Sequence, residues 1–143
     1  MPSDDILLNK AAIIERCVRR VLEEYQKDNT LSSFTYMDAM MLNIERACQA
    51  TIDVAMHLCA TRHLGIPQGS ADAFKLLETN QIISPELCRK MRQMSSFRNV
   101  AIHEYQVLDK EIVKAIAQGR YQDFIEFMRV LGVKIEPGGR SIA

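Results

Sequence analysis

One long apolar pattern, from Thr35 to about His63, sets what this chain can fold into. Met37, Met41, Ile44, Cys48, Ala55 and Leu58 fall on a single helical stripe, interrupted only by Thr51, whose methyl group can still pack. Met40, Ala47, Ile52, Met56 and Cys59 widen that stripe, so the helix is expected to be central and covered on more than one side. Gly65-Ile66-Pro67 ends it. Its remaining strip is Asn43, Arg46, Ala50, Asp53 and His57. Such a polar line on a mostly buried helix is either solvated or turned toward a partner or a site, because unpaired burial is costly.

The other segments are helical as well. Leu7, Ala11, Ile14, Val18, Val21 and Tyr25 predict a helix over about Asp5 to Lys27, capped by Ser3 or Asp4. Its opposite face pairs Glu15 with Arg19, Arg19 with Glu23 and Arg20 with Glu24, and reads as a solvated surface. Residues 28–33 form a connector. A short helix opened by Ser70 or Asp72 points Phe74 and Leu77 inward, and Ile82-Ile83 is a buried connector. Ser84-Pro85-Glu86 is a strong helix start, followed by Leu87, Met91 and Met94 on the inner face. Asp109 is expected to cap a helix over Lys110–Gln118 that ends at Gly119. Tyr121, Phe124, Met128 and Leu131 mark a last helix that stops at Gly132. The expected fold is all-α: a single-domain antiparallel bundle of about five to six helices over residues 1–132, with a loose tail over 133–143 around Pro137-Gly138-Gly139.

Composition narrows the function classes. Lys+Arg and Asp+Glu are both 18, so no global field draws the chain to a polyanion, and any such binding must be local. The local candidate is Arg89, Lys90, Arg92 and Arg98, with no acid between Leu87 and Asn99. No apolar run approaches the roughly 20 residues of a membrane span, and the acidic start does not read as a signal peptide, so a cytoplasmic protein without a membrane partner is expected. Cys17, Cys48, Cys59 and Cys88, like His57, His63 and His103, lack metal-ligand spacing; a structural role is expected for the cysteines, and no metal or cofactor is expected.

The chemistry is concentrated in Arg98-Asn99-Val100-Ala101-Ile102-His103-Glu104-Tyr105. On a regular helix Arg98 and Tyr105 share one stripe, Asn99 and His103 the next. Arg98 and His103 differ by about 140° in projection, so one chain presents an incomplete site. A twofold dimer joining two such motifs would place two His and two Arg around one phosphate. That set suits RNA cleavage by its own 2′-hydroxyl, which needs a proton acceptor, a proton donor and a cation for the phosphorane. Spacing alone leaves a plainer reading open: a helix end where Arg98 pairs with an acid and His103 caps a carbonyl.

The stretch resembles the hallmark of HepT-type toxins in the HEPN (higher eukaryotes and prokaryotes nucleotide-binding) superfamily: Arg, four residues, His, one residue, Tyr, with Asn after the Arg. The likeness continues through Leu42-Asn43-Ile44-Glu45-Arg46-Ala47-Cys48-Gln49-Ala50-Thr51-Ile52-Asp53, Leu64-Gly65-Ile66-Pro67-Gln68 and the Phe74…Leu77 segment. Gln49 departs from the acidic residue common in the family, which puts a carboxylate role there in doubt. The resemblance implies a homodimeric, metal-independent endoribonuclease acting on RNA at a composite dimer site. It also implies a nucleotidyltransferase antitoxin that transfers AMP to Tyr105. On that reading Arg98 and His103 are catalytic, and Asn99, Arg98 and Tyr105 bind phosphate or RNA. The competing reading is a non-catalytic helical module that docks on and regulates a nucleotidyltransferase. A third, a subunit holding small substrates for that enzyme, would need an added ligand pocket.

Overall fold

The computed structural model describes the backbone of residues 4–100 and 107–138, and the side chains of 4–97 and 110–138. Helix α1 (Asp5–Lys27) starts where Asp4 Oδ1 accepts the Leu7 amide at 3.0 Å, which relieves one of the helix's orphan donors. Leu7, Ala11, Ile14, Val18 and Val21 are buried as their spacing predicts, joined by Cys17; Tyr25 is only half-buried. The opposite face is not simply solvated. Glu24 is 4% exposed and is held by Arg20 Nε at 2.9 Å and Lys27 Nζ at 3.4 Å.

At the connector, the Asp28 carboxylate accepts the Ser33 amide at 2.7 Å together with the Thr30 and Ser32 hydroxyls. Those bonds, the Ser33 amide first, hold its pKa below the ordinary carboxylate value. The turn puts Leu31 into the core at a positive φ of 54°.

Helix α2 (Phe34–Thr61) is the axis of the bundle, packing most extensively on α1 and then on α3 (Ser70–Thr79) and α4 (Pro85–Val100). Its predicted stripe is buried apart from Met56, which is half-buried, and it includes Thr51, whose hydroxyl donates to the Ala47 carbonyl at 2.8 Å and leaves the methyl free to pack. Gly65 follows α2 at φ +124°, a conformation only glycine adopts without strain, with the Leu76 side chain 3.4 Å from where a Cβ would sit. Phe74 and Phe127 meet edge to face, centroids 5.7 Å apart, and tie α3 to the last helix. Ser84 caps α4 by accepting the Leu87 amide at 3.0 Å, and Leu87, Met91 and Met94 all face the core.

The carboxy-terminal third departs from expectation in two places. Helix α5 (Val107–Ala115) begins before Asp109, which therefore lies inside it rather than capping it, and Gly119 does not end the segment. The chain widens into a π-helical turn over Ile116–Arg120, where the Tyr121 amide reaches back to the Ile116 carbonyl at 3.0 Å. That turn lets Val113, Ile116 and Ala117 all reach the core before α6 (Gln122–Val130) buries Phe124, Phe127 and Met128. Gly132, at φ +94°, closes α6.

The segment expected to be loose from residue 133 is seated as far as Glu136. Ile135 is 4% exposed, the Glu136 amide donates to Glu15 Oε2 at 2.6 Å, and Arg19 donates to the Glu136 carbonyl at 3.1 Å. An apolar side chain and two backbone bonds outweigh the nearby glycines. All described residues fall into helices, turns and connectors, with no strand among them.

Candidate functional site

Helix α4 carries Arg98 and Asn99 in its final turn. Their side chains, and the whole of His103 and Tyr105, lie outside the described residues. The structure does define the footing on which the motif stands. Ser95 and Ser96 bond back to the Arg92 and Gln93 carbonyls at 2.9 and 2.6 Å, a local competition with the helical ladder just before Arg98.

Arg120, at the end of the π-helical turn, donates to Gln93 Oε1 at 3.0 Å and lies 5.9 Å from the centre of the Phe97 ring. Its Nε also meets Asp123 at 3.0 Å, a carboxylate almost entirely withdrawn from water. Arg120 thus clasps the last described turn of α4 to α6. Along the chain, the Arg98-to-Tyr105 stretch falls between Phe97 and Arg120. Its pairing with Asp123 is local, but nothing in the local sequence marks its reach to α4, because Gln93 and Phe97 lie 27 and 23 residues away along the chain (120 − 93 and 120 − 97).

The basic run on α4 is partly neutralised. Lys90 lies 3.6 Å from Glu86 and 3.8 Å from Glu126, whereas Arg89 and Arg92 stay exposed. Arg92 and Lys75 lie close enough to Glu78 to lower its pKa, after the hydrogen bonds from Lys75 and Cys88.

The polar strip of α2 divides into two. At one end His57 Nε2 lies 2.7 Å from Asp4 Oδ2, so the α1 cap is fastened to α2. At the other end Asn43, Arg46, Gln49 and Asp53 line an open cleft of about 300 Å³ between α2 and α1. Lys10, Ile13, Arg16 and Cys17 supply the opposite wall. Lys10 Nζ donates to Asp53 Oδ2 at 3.0 Å and Gln49 Nε2 to Asp53 Oδ1 at 2.9 Å, so the cleft's one carboxylate is occupied. Lys10 and Arg16 were not singled out from the sequence; they reach the strip only because α1 packs across α2.

The four cysteines are buried, and none forms a disulfide among the described residues. Burial raises the thiol pKa of Cys17, Cys59 and Cys88, which makes them poor nucleophiles. Among the described residues no group of three or more His, Cys, Asp or Glu side chains could hold a metal.

Comparison with known proteins bears on the motif. Residues 10–131 match the family model described as ribonuclease HepT-like. The chain is 39% identical over 129 residues to the mRNA nuclease HepT of Shewanella oneidensis, covering 90% of this chain and 97% of that one. It is 31% identical over 87 residues to the tRNA nuclease HepT of Aphanizomenon flos-aquae, covering 61% of this chain and 59% of that one. A crystal structure of a toxin–antitoxin complex with AMP-PNP holds a chain that superposes with TM-score 0.84 at 38% identity, covering 90% of this chain and 98% of that one. A tri-AMPylated Shewanella oneidensis HEPN toxin in complex with MNT antitoxin gives the same score, identity and coverage.

Proposed function

This chain belongs to the HepT-like ribonuclease family, and from that premise we propose that it is the toxin of a toxin–antitoxin pair, an endoribonuclease silenced by AMP transfer. The observation that carries the reading is the ungapped Arg98–His103–Tyr105 motif on a fold shared with an AMPylated HEPN toxin. The active unit is a homodimer in which two copies of the motif face one RNA phosphate. Arg98 binds the scissile phosphate bidentately and stabilises the charge that grows on it. The ribose 2′-oxygen attacks phosphorus and the 5′-oxygen leaves, giving a 2′,3′-cyclic phosphate and a 5′-hydroxyl. His103 of one subunit takes the 2′-hydroxyl proton while the partner subunit's His103 donates to the leaving oxygen. Asn99 orients the phosphate. No metal is required, because the protons and the charge are handled by side chains.

Tyr105 contacts RNA in the active state and is the acceptor in the silenced one. Its phenol oxygen attacks the α-phosphorus of ATP on the nucleotidyltransferase antitoxin, and pyrophosphate leaves. The added phosphate and adenosine put negative charge and bulk where RNA must sit. RNA and a nucleotidyltransferase as partners place the protein in the cytoplasm.

Purified protein is expected to cleave RNA in the presence of a chelator, and His103→Ala to remove that cleavage. Co-incubation with the nucleotidyltransferase and ATP should add mass in AMP units, a shift absent from Tyr105→Phe. RNA left intact by both the wild type and His103→Ala, with no difference between them in cells, would sink the ribonuclease reading. The balanced charge of the chain favours the competing reading of a non-catalytic docking module. Growth arrest without the antitoxin, abolished by Arg98→Ala, would exclude that module.

A further inference from the structure

We propose that the cleft between α1 and α2 is a second RNA-backbone subsite, in which Arg16 and Arg46 hold a phosphate of the strand away from the scissile bond. The proposal rests on the ribonuclease reading for its choice of nucleic acid. Its geometry is independent of the Arg98 motif.

Arg16 projects from α1 and Arg46 from α2, on the two walls of one cleft. Both are exposed, and among the described residues neither has a hydrogen-bonding or ion-pairing partner. Both line the same cleft as Cys17. Most other cations on these helices are engaged: Arg19 with Glu15, Arg20 and Lys27 with Glu24, Lys10 with Asp53. Two unengaged arginine forks on the two walls of one open cleft form a site for a phosphate, which each can bind through two oxygens.

The neutral groups favour RNA. Asn43 donates its amide hydrogens to the Ala39 carbonyl at 2.8 Å, and Gln49 donates to Asp53. Both residues line the cleft, and neither carbonyl oxygen accepts a bond from a donor among the described residues. A ribose 2′-hydroxyl is a donor suited to such acceptors, and deoxyribose lacks it. The cleft's volume of about 300 Å³ is on the scale of one sugar–phosphate unit. The one carboxylate, Asp53, is already neutralised by Lys10, so it does not repel the incoming phosphate. Because the chain as a whole has a formal net charge of zero, affinity for RNA depends on local sites of this kind.

The test is fluorescence anisotropy of a labelled 12-nucleotide single-stranded RNA on full-length His103→Ala protein, across a salt series. Adding Arg16→Gln and Arg46→Gln together is expected to weaken binding at least tenfold. The slope of log K against log salt should become shallower by about 0.7, the value for one single-strand phosphate contact. The penalty should be larger on the 12-nucleotide strand than on a dinucleotide, and larger on RNA than on DNA of the same sequence. Arg62→Gln, an exposed arginine beyond the end of α2, serves as a control and should change neither quantity. An unchanged slope in the double variant overturns the proposal. So does an unchanged affinity for RNA accompanied by lost binding to the nucleotidyltransferase, which would make the cleft a protein-docking surface. An equal loss on the dinucleotide overturns it too, because the effect would then belong to the scissile site. If the wild type cleaves no RNA but the double variant still shows the shallower slope, the ribonuclease reading fails and the subsite stands.

Discussion

Asp4 shows how much one side chain can carry. Its two carboxylate oxygens serve two elements at once, one capping α1 and the other holding His57 of α2. The Leu7 amide, and after it the His57 ring, hold its pKa below the ordinary 3.8. A carboxylate depressed in the folded state stabilises the fold above its unfolded pKa, and that contribution fades as pH falls through the folded value. Asp4→Ala is therefore expected to melt at a lower temperature than the wild type at neutral pH. The gap should narrow steadily below about pH 4, checked by thermal unfolding followed by circular dichroism. A gap independent of pH would mean the carboxylate charge contributes nothing. Glu24 teaches a related lesson. Sequence spacing places it on a solvated face, yet it is buried, because Arg20 and Lys27 from its own helix neutralise it and let the surrounding surface close over. Local pattern identifies the pair but not the depth at which it sits.

At the scale of elements, caps and stripes were legible where their causes are local. The starts of α1 and α4, and the central place of α2, follow from Asp4, Ser84-Pro85 and an apolar spacing that any neighbour must respect. The π-helical turn after α5 was not legible. It arises because Ile116 and Ala117 must both reach the core while Arg120 reaches α4, a demand set by partners far along the chain. The motif was readable as a spacing of residue types, whereas the Arg120 clasp and the Lys10 and Arg16 wall of the cleft depend on helices crossing. Arg120→Ala should cost about 1–3 kcal/mol in urea unfolding, because it strands the buried Asp123 carboxylate. Arg120→Ala combined with Asp123→Asn should recover part of that loss. No recovery would locate the cost in the Gln93 and Phe97 contacts instead.

For the whole molecule, the decisive question is whether the two motifs of a dimer share one site. Chains carrying Arg98→Ala and His103→Ala, each inactive alone, can be co-expressed with different tags and the mixed dimer purified. A shared site in such a dimer keeps one Arg98 and one His103, and weak RNA cleavage above either parent is expected, at about 1% of the wild type or less given typical losses from removing one proton-transfer group. Activity no greater than in either parent would mean that each chain works alone.

The seating of Glu136 on α1 also bears on how the molecule closes. Glu15 and Arg19 belong to α1, yet their backbone partner lies 121 and 117 residues further along the chain. Contacts of that separation must overcome loop-closure entropy before they contribute, so α1 can pack on α2 well before its outer face is covered. The helix that makes the largest contact with the axis of the bundle therefore has one face among the last to be sealed.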